Sequence, residues 1–190
     1  MGASWVSGIN LYASVATLGL LSRFAHLQLP GDLTVLSNWW VIGIAIALYV
    51  IEFVADKVPW LDTVWDLIHT FIRIPAGAVI AAGAFGDFDK RVQVVAFLVG
   101  GGLALTSHGT KASARAVLNV SPEPVTNIIA SLVEDAVAII SILLAAFFPV
   151  LLVIVVLIGV TISLVLLPKT LGYFRGAWRK VFRKRKRATA

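Results

Sequence analysis

Residues 127–167 read NIIASLVEDAVAIISILLAAFFPVLLVIVVLIGVTISLVLL, and Glu134 and Asp135 are the only charged residues in the run. As one helix it would extend ~60 Å at 1.5 Å per residue, twice the hydrocarbon thickness of a bilayer. The stretch therefore divides into two crossings. The reversal fits at Phe147-Phe148-Pro149, because a proline cannot continue a helix already under way. The whole composition agrees with a helical membrane protein. Of 190 residues, 59% are hydrophobic and 14% charged, with a mean hydropathy of +0.92, whereas soluble domains carry about 45–50% apolar and about 25% charged residues. Apolar runs of helical length also exclude an outer-membrane barrel, whose strands alternate over about ten residues. The lack of cysteine removes disulfides, thiolate metal sites and cysteine nucleophiles from consideration.

Upstream of that run, four more apolar segments are expected. The first covers Ser4 to Leu21, ends at Arg23 and is followed by the turn Pro30-Gly31-Asp32. The second, Ser37 to Asp56, opens on Asn38-Trp39-Trp40, an aromatic pair of the kind that anchors a helix at the membrane interface. The turn Lys57-Val58-Pro59-Trp60 leads to the third, Leu61 to Phe85. The polar turn Gly86 to Arg91 leads to the fourth, Val92 to Leu118, and Ser121-Pro122-Glu123-Pro124 forms the next loop. The expected fold is an all-α polytopic bundle of about six transmembrane helices. Breaks are expected at Gly100, Gly101 and Gly102, which either unwind a helix or admit a close neighbour, and at Pro75 and Gly77.

Charge divides the chain into an integral-membrane domain over residues 1–168 and a tail over 169–190. All ten acidic residues precede Lys169, and nine of the sixteen basic residues lie from Lys169 onward. A basic tail directly after an apolar segment is expected in the cytoplasm, and an even number of crossings would put the N-terminus there too. The N-terminus has neither a basic region nor a small-residue cleavage site, so no cleaved signal peptide is expected. Leu171, Phe174, Trp178, Val181 and Phe182 recur at helical spacing between basic residues. That pattern suits an interfacial amphipathic helix on anionic lipid; a solvated tail is the plainer alternative, and nucleic acid is not an expected partner.

Inside the membrane segments the polar residues have a shared depth. Asp62, Asp66, His69 and Arg73 fall four, three and four apart, on one helical face. His108, Lys111 and Arg115 form a second such face. Counted by rise per residue from the tail side, Asp66, His69, Arg73, His108, Lys111, Arg115, Glu52, Glu134, Asp135 and Asn10 fall within ~5–18 Å of one membrane face. Ionisable groups at that depth are costly unless paired or hydrated. One reading is a salt-bridge network that registers the helices. The other is a vestibule where Asp66, Glu134 and Asp135 bind a cation or proton, His69 or His108 titrates, and Asp66, His69 and Arg73 form a relay. The three histidines have no recognised ligand spacing. No cofactor is expected, and a carboxylate-rich Mg2+ site is the one metal chemistry the residues would support. Similar small-and-polar starts at Ser7-Gly8-Ile9-Asn10 and Ser107-His108-Gly109-Thr110-Lys111, each followed by an acid-bearing segment, suggest two inverted three-helix repeats.

Glu52-Phe53-Val54-Ala55-Asp56-Lys57-Val58-Pro59, then Asp62, Asp66, Arg73 and Gly77, then His108-Gly109-Thr110-Lys111 with Arg115, and finally Ser131-Leu132-Val133-Glu134-Asp135, carry a resemblance over roughly residues 4–168. The chain resembles a family of small bacterial inner-membrane proteins known only as a domain of unknown function. The resemblance implies a multi-pass inner-membrane protein and lends no activity. Where that family usually has an arginine in its first helix, this chain has Asn10.

The expected function is a small transporter or channel moving an ion or small solute through the charged layer, as a homo-oligomer packed through the glycine-rich helix and without enzymatic activity. Two alternatives stand beside it. One is an enzyme acting on lipid or polyprenyl phosphate, with Lys111 and Arg115 on phosphate; the other is a membrane scaffold.

Overall fold

The computed structural model describes residues 1–118 and 124–188, with the backbone alone for Pro59, Pro124, Thr170, Leu171 and residues 173–188. Among the described residues all regular structure is helical: α1 (Gly2–Ile9), α2 (Leu11–Phe24), a 3-10 turn (Gly31–Ser37), α3 (Trp39–Ala55), α4 (Pro59–Ala84), α5 (Lys90–Leu118), α6 (Pro124–Phe147) and α7 (Pro149–Ala188). Helices α4 to α7 are each long and apolar enough to cross a membrane. The 3-10 turn and α3, which meet at 70°, supply a fifth span if taken as one. Polarity is inside out relative to a soluble protein. Arg73, Arg115, Glu52, Asp56 and Asp62 are buried, while Phe71, Val150 and Trp40 are 77%, 76% and 81% exposed. With lipid as the surrounding medium that is the favourable arrangement, since apolar side chains gain nothing by leaving hydrocarbon and charges gain much.

The reversal between the last two spans falls where expected: α6 ends at Phe147 and α7 begins at Pro149. Of the expected effects at Pro75, Gly77 and Gly100 to Gly102, an interruption of the helix is not found, since α4 and α5 run through them. The glycines serve close approach instead. A Cβ on Gly100 would collide with Ala81 and lie 2.9 Å from the Gly77 carbonyl, and one on Gly77 would collide with Ala104. Gly101 faces Ala78 of α4, and only Gly102 opens onto free space. The packing face of α5 is therefore largely used within the chain.

The first expected crossing is the largest correction. Its ladder stops where the Asn10 N–H meets the Val6 carbonyl at 3.1 Å, and Asn10 adopts an extended conformation (φ −146, ψ 103). Its side chain then accepts from the Ala13 N–H at 2.9 Å and caps α2. The two pieces run in opposite directions. Gly2 packs on Leu152 at the start of α7, Ser4 lies beside Gly100, Ser107 Oγ donates to the Trp5 carbonyl at 2.6 Å, and Gly8 abuts Ala104 and His108. So α1 descends alongside α5. From Asn10, α2 returns: Tyr12 reaches His69, Gly19 packs on Leu36 and Ile42, Arg23 Nε donates to the Ser37 carbonyl at 2.7 Å, and Phe24 meets Trp39.

Residues 2–24 thus form a re-entrant hairpin that enters and leaves at one end of the bundle. That end carries the α4–α5 and α6–α7 turns; α7 continues as helix from the other end into the basic tail. Met1 and the tail consequently lie at opposite ends, not the same one. The reason is local: a polar side chain that satisfies the backbone at the break makes an end to α1 tolerable in the interior. Residues 4–9 are all buried, and Trp5, Val6, Ile9, Leu11 and Leu18 belong to the central apolar cluster, so the spans wrap around the hairpin. The expected loop at Ser121 to Glu123, and the face presented by the tail residues Phe174 to Phe182, lie outside the described residues and side chains.

Candidate functional site: a buried ionic layer at the hairpin tip

The end of α3, the first half of α4, the last turns of α5 and the first half of α6 bring their polar residues to one level, and the hairpin tip arrives there from the opposite side. Every sequence-predicted residue is in this layer or against it. Arg73, on α4, pairs with Glu52 of α3, and its Nη1 lies 3.3 Å from Asp66 Oδ1. Lys111, on α5, lies among four carboxylates: Asp56 at 3.3 Å, Glu52 and Glu134 at 3.4 Å, and Asp66 at 4.0 Å. Arg115 holds Glu134 through two nitrogens, Nη2 to Oε2 at 2.8 Å and Nε to Oε1 at 3.0 Å. Its Nη1 donates to Asn127 Oδ1 at 2.7 Å, and Asp56 and Asp62 lie 3.5 and 3.9 Å away. A fork of five donors is the group that can serve so many acceptors at once.

Asp56, Asp62 and Asn127 are the members that sequence reasoning placed outside the layer or overlooked. Asp56 and Asp62 flank Lys57 to Pro59 and read as turn residues near the membrane surface, yet each is buried. Arg115 draws the turn inward, since its Nη1 also donates to the Asp56 carbonyl, which Asn127 Nδ2 meets at 2.9 Å. The helical spacing already put Asp62 on the face of Asp66, whereas nothing in the sequence placed Asp56 or Asn127 in the layer. The charge balance changes accordingly. Six carboxylates (Glu52, Asp56, Asp62, Asp66, Glu134 and Asp135) now face three buried cations, with Lys57 at the edge of the layer beside Asp56 and Asp135.

The histidines are hydrogen-bonded to neutral partners as well as to charge. His69 Nδ1 donates to the Trp65 carbonyl at 2.8 Å, so its Nε2 accepts from the Tyr12 hydroxyl at 2.9 Å, and Trp65 stacks on the ring. Arg73 Nη1 donates to His108 Nδ1 at 3.3 Å, which leaves His108 Nε2 to donate to Thr70 Oγ1 at 2.8 Å; the Thr70 hydroxyl in turn donates a hydrogen bond to the Asp66 backbone carbonyl. The expected Asp66, His69 and Arg73 relay is thus divided. Arg73 bonds Asp66 directly, and His69 turns away toward Trp65 and Tyr12.

Asp135 stands apart. Among the described residues no cationic side chain lies within 4.0 Å of it, and its partners are neutral: the Asn10 amide, with Nδ2 donating to Oδ1 at 2.9 Å, and the Tyr49 hydroxyl. Its Oδ2 is buried with no hydrogen-bond partner, as are Glu52 Oε2, Asp56 Oδ1 and Asp66 Oδ2. Two cavities reach the layer. One of about 280 Å³, between α1, α5, α6 and α7, touches Lys111 and Glu134; one of about 220 Å³, between α4 and α5, touches Asp66 and Arg115. Among the described residues no three His, Asp or Glu side chains converge closely enough to hold a metal ion.

Residues 1–169 match the family described as a domain of unknown function, DUF4126. The chain belongs to the DUF4126 family. The match takes in the hairpin, the ionic layer and the apolar part of α7, so the whole site lies inside the DUF4126 region. No curated protein and no solved structure matches the chain.

Proposed function

We propose that the protein moves a small ion or solute across a membrane, with the ionic layer as its binding station and the hairpin tip as the element that closes it from the opposite side. The observation that supports this most is the interrupted helix. A backbone break in the membrane interior is tolerated where it is buried in protein or lines a site, and broken helices at mid-depth are a recurring way to build ion and substrate sites. Here the break falls at the one level where the charges are. A network whose role is only to hold helices in register requires Asp66, Arg73 and Glu134 to be paired, and each is. It does not account for an excess of carboxylates over cations or for carboxylate oxygens buried without a partner.

The alternative of phosphate chemistry is less well supported, since Lys111 and Arg115, the groups that would hold phosphate, are already held by carboxylates. The test is reconstitution of the full chain into liposomes, with imposed gradients of protons, alkali cations, halides and small neutral solutes. Dissipation of any one of these by wild type, and its loss when Lys111 and Arg115 are replaced together by methionine in protein that remains monodisperse, supports transport. Inertness toward every gradient overturns it.

A further inference from the structure

We propose that the transported species is a singly charged cation, H+ or an alkali ion, and that Asp135 at the hairpin tip is the group that takes it up. The inference rests on the transport reading and assigns its substrate class. Three observations carry it. First, the layer's cations are committed: Arg73, Lys111 and Arg115 between them touch Glu52, Asp56, Asp62, Asp66 and Glu134, and none comes within 4.0 Å of Asp135. Second, Asp135 is 5% exposed, and its Oδ2 has no hydrogen-bond partner. A buried carboxylate left without a counter-charge is strongly unfavourable, and one bound positive charge removes that cost. Third, α1 ends at this level: the Asn10 N–H takes the Val6 carbonyl and the Gly8 carbonyl faces His108, while the helix presents its negative end toward the layer.

The surroundings restrict the sign and the valence. Facing Asp135 are Tyr49 and Glu52 from α3, Asp56 and Lys57 from the following turn, Lys111 from α5, Glu134 beside it on α6 and Asn10 from the hairpin. Lys57 is engaged with the Phe53 carbonyl at 2.7 Å and lies over that ring. An anion would meet an excess of carboxylates. A divalent ion calls for several carboxylate ligands converging on one point, and no such group exists among the described residues. One carboxylate and the backbone carbonyls at the end of α1 suffice for a monovalent ion, and the carboxylate alone suffices for a proton.

The experiment has two readouts on the full-length protein. In liposomes, gradients of H+, Na+, K+ and chloride are imposed in turn. The expected result is flux of one monovalent cation in wild type, reduced at least tenfold in Asp135→Asn, with unchanged chloride permeability. Separately, a hydrophobic carbodiimide is applied in detergent and modification of Asp135 is read by mass spectrometry. Slowing by NaCl or KCl relative to choline chloride marks an alkali ion, and slowing by raised pH alone marks a proton; either supports the proposal. Flux of chloride or of a neutral solute that survives Asp135→Asn overturns the substrate assignment and leaves transport standing. Modification indifferent to both pH and alkali ions overturns the role of Asp135. Absence of all flux overturns the transport reading itself.

Discussion

Replacing Asn10 with alanine removes two separable interactions, and their sizes can be worked out from the contacts. The side-chain oxygen caps α2 through the Ala13 N–H, and loss of an N-cap costs ~1 kcal/mol. The side-chain amide donates to buried Asp135, and a hydrogen bond to a charged or buried carboxyl contributes ~1.5–3 kcal/mol. Asn10→Ala is therefore expected to destabilise the protein by ~2.5–4 kcal/mol. The two parts are distinguished by a double-mutant cycle with Asp135→Ala, which removes the acceptor. The capping part is indifferent to residue 135, whereas the amide part is not, so a coupling of ~1.5–3 kcal/mol is expected between the two positions. The assay is reversible unfolding of the full chain in mixed micelles, followed by tryptophan fluorescence, across wild type, both single variants and the double variant. Asn10→Asp serves as a control that keeps the cap and loses the amide donor. A cost for Asn10→Ala below ~0.5 kcal/mol, or an equal cost in both Asp135 backgrounds, would refute the reasoning.

Two further outcomes follow from the fold. A Cβ at Gly8 would run into Ser107 Oγ and the Ala104 carbonyl, whereas at Gly43 it meets nothing within 4 Å; Gly8→Ala should lower stability by ~1–3 kcal/mol or more through overpacking, while Gly43→Ala should be neutral or stabilising in the same unfolding assay. The chain lacks cysteine, so single cysteines report sidedness directly. Gln28→Cys and Asp87→Cys, both exposed, should react with a membrane-impermeant maleimide from the side where an N-terminal tag is accessible, and Gly172→Cys from the other side; labelling of Gly172→Cys together with the N-terminal tag would contradict the hairpin.

Much of the architecture was legible because length alone decided it. Residues 127–167 are too long for one crossing, and Pro149 marks the turn. The ionic layer was legible for a similar reason, since rise per residue places Glu52, Asp66, Arg73, Lys111, Arg115 and Glu134 at one level whatever their partners. The hairpin was not, because Ser4 to Leu21 has the length and hydropathy of a span, and a single asparagine gives no measure of direction. What turns the chain at Asn10 is tertiary: the cap on Ala13, the amide on Asp135 far along the sequence, and the seat for Gly8 on α5. Asp56 and Asp62 were hidden by their neighbours, as a Lys-Val-Pro turn reads as surface until Arg115 is seen to bind its backbone. The glycines of α5 announced close packing, and their position opposite Gly77 and Ala81 shows that small residues on two helices were paired to bring the backbones together.

The order of synthesis gives the central hairpin a particular difficulty. It leaves the ribosome before the helices that receive it, since those surfaces belong to α4, α5 and α6, and the carboxyl that meets Asn10 is made 125 residues later. Helices of 8 and 14 residues are too short to insert stably across a bilayer alone, where ~20 residues are needed. The nascent N-terminus therefore has to wait at the interface until the later helices are in place and then enter between them. Assembly of this small protein is accordingly a late, post-insertional docking step, and chains truncated before α6 should retain their first two dozen residues in a protease-sensitive state that the complete bundle lacks.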